Sequence, residues 1–318
     1  MARQIEEMEV RAQSWMLFRQ RERLRSGLFL CCLLLGLSSS PSAQTSQRQT
    51  SLSVLDFGKS DFAKLAAGKL RTNLRSQREL VIFDPELSRA AARGAGYSGS
   101  LNMSLAEARD LGAVMASDFY IIGDAQTLRR SPSSEQIYYE SYCSVFLVSS
   151  RTGRLLFWDR PSFQAETPKA AEAQILFKLA EGEIQHLCLI IARRAQEDER
   201  SQRELIVDAN QPLIEEAPDD NEGAEAKGLR LPRPYRRLHP DYPDSAARAE
   251  AEATVDVLVD VGADGEVGQV QIARWGGFGL DESTMATVRQ LHFFPAMRNG
   301  VPIPLRVLLR YNFRKSPK

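Results

Sequence analysis

The chain has 318 residues, enough for about two domains at roughly 150 residues each. Hydrophobic residues make up 43% and charged residues 26%, and 41 Lys plus Arg balance 41 Asp plus Glu. A formal net charge of +0 excludes a chain that is basic overall and coats nucleic acid, and a mean hydropathy of −0.31 excludes a multi-span membrane protein.

Gly27 to Leu37 is an eleven-residue stretch without charge, preceded by Arg19, Arg21, Arg23 and Arg25 and followed by small polar residues. A basic run, a short apolar run and a small-residue exit form the layout of a secretory signal. Met16 is the natural start for it; Met1 is the alternative. Eleven residues rise only ~17 Å as helix against a hydrocarbon core of ~30 Å, so residues 1–43 read either as a cleaved signal peptide or as an N-terminal membrane anchor in residues 27–43. Cys31 and Cys32 open the apolar stretch, whereas a lipidated cysteine would follow it. The expected compartment is the bacterial periplasm, where thiols can oxidise.

Residues 50–195 alternate strand and helix patterns. Leu52–Phe57 reads as a strand, followed by helical spacing at Phe62, Leu65, Ala66, Lys69 and Leu70. Glu79–Asp84 is a second strand, and Pro85 opens a short helix. Ser104 and Glu107 form a capping box for a helix to about Met115. Phe119–Gly123 is a strand. Tyr138–Val148 and Arg154–Trp158 form a hairpin around Arg151–Gly153. Thr167 as N-cap and Pro168 at the first helical position start one long helix, apolar from Ile175 to Ile191. This order of elements, with Leu55–Phe57, Glu107–Arg109, Asp118–Gly123 and Thr152–Gly153 at their places, resembles the N-terminal domain of TolB-like proteins and curli-secretion-type envelope lipoproteins. The resemblance implies binding and assembly of envelope proteins rather than catalysis.

Residues 196–228 hold eleven acids against three bases, with Pro212 and Pro218, and read as a solvated, self-repelling linker. Few contacts should cross it, leaving two independent domains.

Residues 229–318 begin with an arginine-rich lead-in: Arg230, Arg233, Arg236 and Arg237 among prolines. It reads as an extended strap, solvated by its own charges or paired with the acidic linker; a grip on acidic polymer or lipid headgroups is the alternative. In Ala253–Val261, Val255, Val257, Val259 and Val261 fall on one face, and Thr254, Asp256 and Asp260 on the other. Asp264-Gly265 turns the chain into Val267–Arg274. A helix from Leu280 places Leu280, Thr284, Val288 and Leu291 on one side, with acids at its N-terminus. Asn299-Gly300 leads into a last strand with Leu305, Val307, Leu309, Tyr311 and Phe313 on one face and Arg306, Arg310 and Arg314 opposite. The order is ββαβ. The Tyr242-Pro243…Ala247-Arg248 lead-in, the valine strand, the Asp-Gly turn, the Leu280-Asp281 helix start, the Phe293-x-Pro295-Ala296 exit and the final strand resemble the C-terminal domain of TonB-family proteins. Ala253 and Leu291-His292 depart from the family pattern. No His precedes His186, and the linker lacks a long Pro-rich spacer, so energy transduction does not follow.

The resemblance implies binding of envelope proteins or outer-membrane receptor peptides by strand addition at the last strand. The partner-binding candidates are Tyr242, Pro243, Arg306, Leu308, Arg310 and Asn312. Arginines on that edge would suit an acidic partner. A homodimer is the other partner expected; nucleic acid is not. Gly94–Gly99 fits GxGxxG but follows a helix, so it reads as a glycine-rich loop and not a nucleotide site. His186, His239 and His292 lack metal-ligand spacing. No catalytic, cofactor or metal residue is assigned, and no enzyme activity is expected. Cys143 and Cys188 read as separate buried thiols, with a disulfide as the alternative. The fold class is α+β: an N-terminal α/β layer domain, an acidic linker and a small ββαβ domain.

Overall fold

The computed structural model describes residues 49–131, 136–206, 214–218 and 228–315. The expected signal or anchor in residues 1–43 lies outside them. Among the described residues no helix is long and apolar enough to cross a membrane.

The N-terminal half is a six-stranded mixed sheet. β1 (Thr50–Val54) pairs in parallel with β2 (Leu80–Ile82) on one side and with β4 (Phe119–Arg130) on the other. β4 runs antiparallel to β5 (Tyr138–Ser149), which also pairs with β6 (Leu155–Asp159) and β7 (Ser162–Ala165). The period-2 alternation of the strands sends their side chains into two cores. Leu52, Phe119, Ile121, Val145 and Leu147 face one side. There they pack against α1 (Asp61–Arg75), α4 (Pro168–Ala180) and α5 (Glu183–Ile206). Leu55, Tyr120, Ile122, Phe146 and Val148 face the other, beneath α2 (Pro85–Gly94) and α3 (Leu105–Met115). Both sides of the Ser104–Glu107 capping box are present, and Thr167 caps α4 through the Ala170 amide.

The single long helix expected after Thr167 is two helices. Gly182 sits at φ +87°, a left-handed conformation that an α-helix cannot continue through, and the chain restarts at Glu183. α5 then reaches Ile206, so the first eleven residues assigned to the linker are helical.

The C-terminal half is built on the antiparallel strands β10 (Ala253–Val261), β11 (Val267–Trp275) and β15 (Leu305–Phe313). α7 (Leu280–Val288) and the short α6 (Asp244–Ala249) lie between strands in sequence. Val255, Val257, Val259, Leu280, Val288, Leu291, Leu305 and Val307 form its core. The arginine-rich lead-in is extended, as expected. β8 (Leu229–Arg230) pairs with β13 (Ala296–Arg298), which pairs with β14 (Val301–Ile303) across the Asn299-Gly300 turn. β9 (Arg233–Pro234) pairs with β12 (Phe293–Phe294). The α+β class stands.

The two halves pack against each other. Residues 48–318 form one compact unit, and β3 (Met103–Ser104) of the N-terminal half extends the C-terminal sheet by pairing with Arg274 and Trp275. Trp275 is 1% exposed, within the α2/α3 core of the N-terminal half; its ring centroid lies 5.9 Å from that of Phe146, and its Nε1 donates to the Gly153 carbonyl at 3.0 Å. Gly277, at φ +69°, lies so close that an added Cβ would sit 2.5 Å from the Phe146 ring. An acid-rich connection between two segments therefore did not imply separate bodies: long-range burial of aromatic surface overrides it.

Candidate partner-binding edge

β15 ends the sheet order β15-β10-β11-β3, so among the described residues one side of its backbone has no neighbouring strand beyond a single bridge at Arg306. The side it offers is fixed by register. Odd-numbered residues from Leu305 to Phe313 turn their side chains into the core, while Arg306, Leu308, Arg310 and Asn312 turn theirs to the opposite face. The Arg306 amide and carbonyl also point away from β10, because both bond to residues 215 and 217. Backbone direction alternates along a strand, so Leu308, Arg310 and Asn312 point their amides and carbonyls the same way. Among the described residues these three rungs carry no backbone partner on that side.

The side chains above those rungs form a ladder with β10. Arg306 faces Asp260, Leu308 faces Leu258, Arg310 faces Asp256 and Asn312 faces Thr254. Arg306 grips Asp260 through Nε (2.5 Å) and Nη2 (2.9 Å); Arg310 grips Asp256 through Nε (2.7 Å) and Nη2 (2.9 Å). Asp256 and Asp260 are 5% and 6% exposed, and these bidentate hydrogen bonds raise the pKa of each arginine further. Thr254 Oγ1 donates to Asn312 Oδ1 at 2.9 Å. Both edge arginines are therefore ion-paired within the sheet. Leu308, 51% exposed, is the apolar feature of this face.

The six partner-binding candidates do not all share this edge. Arg306, Leu308, Arg310 and Asn312 do. Tyr242 is committed to the fold: its hydroxyl donates to the carbonyls of Ala251 (2.7 Å) and Ala246 (3.3 Å), and its ring lies 6.3 Å from that of Phe313. Pro243 is the N-cap residue of α6 and packs beside Gly279. Among the described residues no group of three or more His, Cys, Asp or Glu could hold a metal ion. Gly94–Gly99 lies at the end of α2 and in the loop that follows. Cys143 and Cys188 are free thiols buried in one core; burial pushes both up, Cys188 to about 12.

The C-terminal half is thus a helix-backed antiparallel sheet with ββαβ chain order. Residues 238–314 match the family described as Gram-negative bacterial TonB protein C-terminal. Solved structures similar to parts of the chain include the solution structure of the Pseudomonas aeruginosa TonB C-terminal domain, at 20% identity, covering 27% of this chain and 89% of that one, TM-score 0.24. The hypothetical protein CT253 from Chlamydia trachomatis is 12% identical, covering 44% of this chain and 98% of that one, TM-score 0.31. The LpoB C-terminal domain from Salmonella enterica is 16% identical, covering 37% and 84%, TM-score 0.26. No curated protein matches the sequence.

Proposed function

We propose that this is a non-enzymatic cell-envelope protein whose C-terminal module binds an extended segment of a partner protein in the periplasm by strand addition to β15. The observation that carries the reading is the open edge: Leu308, Arg310 and Asn312 present consecutive outward rungs on a strand held rigid by nine paired residues of β10. Backbone donors and acceptors give such an edge its affinity, and Leu308 offers apolar contact. The family match over residues 238–314 and the basic-apolar N-terminal pattern support an envelope location, with a link to outer-membrane transport or assembly. The TolB- or curli-type reading of residues 50–195 rests on their order of elements.

A second reading is an envelope assembly scaffold in which the N-terminal half does the recognition. It is favoured by Leu65 on α1 and Phe177 on α4, 60% and 68% exposed on one groove between those helices.

The test removes a backbone donor. Proline at Leu308 or Arg310 deletes one outward N–H without touching the bonds to β10. With folding verified by circular dichroism, the variant should lose capture of envelope proteins. Full capture by a folded proline variant rejects strand addition.

A further inference from the structure

The fourth rung of the edge is already taken, by the chain itself. Glu215 accepts a hydrogen bond from the Arg306 amide at 2.8 Å, and the Ala217 amide donates to the Arg306 carbonyl at 2.8 Å, so Glu216 sits opposite Arg306 in a parallel bridge. Two further contacts fix the segment in place. The Glu215 carboxylate accepts from Arg298 Nη2 at 2.9 and 2.8 Å, and Ala217 packs against the C-terminal core. Glu215 and Glu216 are otherwise exposed, so the acids do not bury charge to make this contact. This is strand addition in miniature: backbone pairing to the outward rung, a side-chain ion pair for register, and a small apolar residue against the core.

We infer that residues 214–217 are a built-in competitor for the β15 edge, a strap that a partner strand pairing with all four outward rungs must displace. The inference rests on the strand-addition reading and adds its regulation. Among the described residues Leu308, Arg310 and Asn312 stay open with the strap in place, but reaching Arg306 requires release of the two backbone bonds and the Glu215–Arg298 pair. Partners therefore divide by length: short segments dock without displacement, longer ones compete with the strap. An extended segment carrying an acid placed to reach Arg298 would replace what the strap gives up.

The test uses the full chain and needs no identified partner. Glu215→Lys with Ala217→Pro places like charge beside Arg298 and removes the donor to the Arg306 carbonyl; both positions lie outside the helices and strands, and circular dichroism checks the fold. Amide exchange by NMR reads the result. In the unaltered chain the Arg306 amide should exchange at least roughly tenfold more slowly than those of Leu308, Arg310 and Asn312, and in the double variant it should match them. A synthetic peptide of residues 211–221, added in trans, should bind the double variant roughly tenfold or more tightly than the unaltered chain. Equal Arg306 exchange in the two proteins, or a peptide showing no preference for the variant, overturns the strap. Neither result depends on the proline variants at Leu308 and Arg310, whose capture of envelope proteins reports separately on strand addition itself.

Discussion

Asn102, in a loop of the N-terminal half, holds the first strand of the C-terminal sheet by Thr254: its Oδ1 accepts from the Thr254 amide at 3.1 Å, and its Nδ2 donates to the Thr254 carbonyl at 2.8 Å. The same Nδ2 donates to the Trp275 carbonyl at 2.7 Å, and Arg274 Nη1 returns a bond to the Asn102 carbonyl at 3.2 Å. One amide thus satisfies three backbone groups of β10 and β11 at the end where β3 joins the sheet. Those groups lie where water has limited access, so leaving them unpaired is costly.

The first prediction is coupled unfolding. Asn102→Ala should cost roughly 1–3 kcal/mol by orphaning these groups. Trp275→Ala, which empties a fully buried aromatic site, should cost about 3–5 kcal/mol. Each half keeps a core cluster of its own, so the Trp275 variant should unfold in two transitions where the unaltered chain shows one. Gly277→Ala should act in the same direction, since both its φ and the Phe146 ring oppose a side chain. Urea denaturation followed by tryptophan fluorescence and far-ultraviolet circular dichroism checks this; a single unshifted transition in the Trp275 variant would refute it.

The second concerns the two edge arginines. Asp260 is ion-paired with Arg306, whereas Asp256 meets both Arg310 and Arg274, the latter at 3.6 Å. Arg306→Ala should therefore destabilise more than Arg310→Ala, by about 1–2 kcal/mol after allowance for the partial exposure of Arg306. Adding Asp260→Ala to Arg306→Ala should restore part of the loss, because the stranded carboxylate is removed. Equal losses for the two arginines would mean that Arg274 gives Asp256 no support.

The third concerns the thiols. Cys143 and Cys188 are 0% and 1% exposed, and burial disfavours the thiolate at both. Native protein at pH 8 should resist maleimide, while unfolded protein should take up two equivalents at these positions. Mass spectrometry after alkylation reads the count, and no uptake on unfolding would point to a disulfide.

The arrangement of β10 and β15 was readable because period-2 alternation records both faces. Asp256 and Asp260 stand four apart on one strand, Arg306 and Arg310 four apart on the other, and an antiparallel register can bring both pairs together. The caps at Ser104 and Thr167 were readable for a similar reason, since cap and amide lie within a few residues. What stayed hidden is non-local. Asn102 is a lone polar residue in a loop, and Trp275 follows a strand pattern without revealing whose core it enters. The strap at Glu215–Ala217 is a backbone contact inside an acid-rich run, where composition speaks only for solvation. The stop at Gly182 was missed because apolar spacing continues across it, although a glycine in the left-handed conformation just past the last turn is a common helix end.

The last prediction is a pH dependence centred on Asp281. Its half-buried carboxylate accepts the amides of Gly276 (2.8 Å) and Gly277 (2.9 Å), holding the turn that carries Trp275 and Phe278 into the N-terminal core. Burial pushes its pKa up to about 7 against the lowering effect of those two bonds. In the unfolded chain an aspartate ionises near ~3.9. Between about pH 4 and 7 the unfolded chain has lost this proton while the folded chain keeps it, so the unfolded state binds fewer protons and stability falls as pH rises. The contribution is fully present below pH 4 and is lost as pH passes through about 7. Asn at 281 carries no charge at any pH and keeps one acceptor, so Asp281→Asn should lose a bond at every pH yet lack this slope. The stability of the variant relative to the unaltered chain should therefore improve steadily from pH 4 to pH 7.5, measured by urea denaturation at fixed ionic strength. A difference that stays flat across that range would show that Asp281 ionises in the folded protein at its ordinary pKa, and that the turn is held by a charged carboxylate throughout.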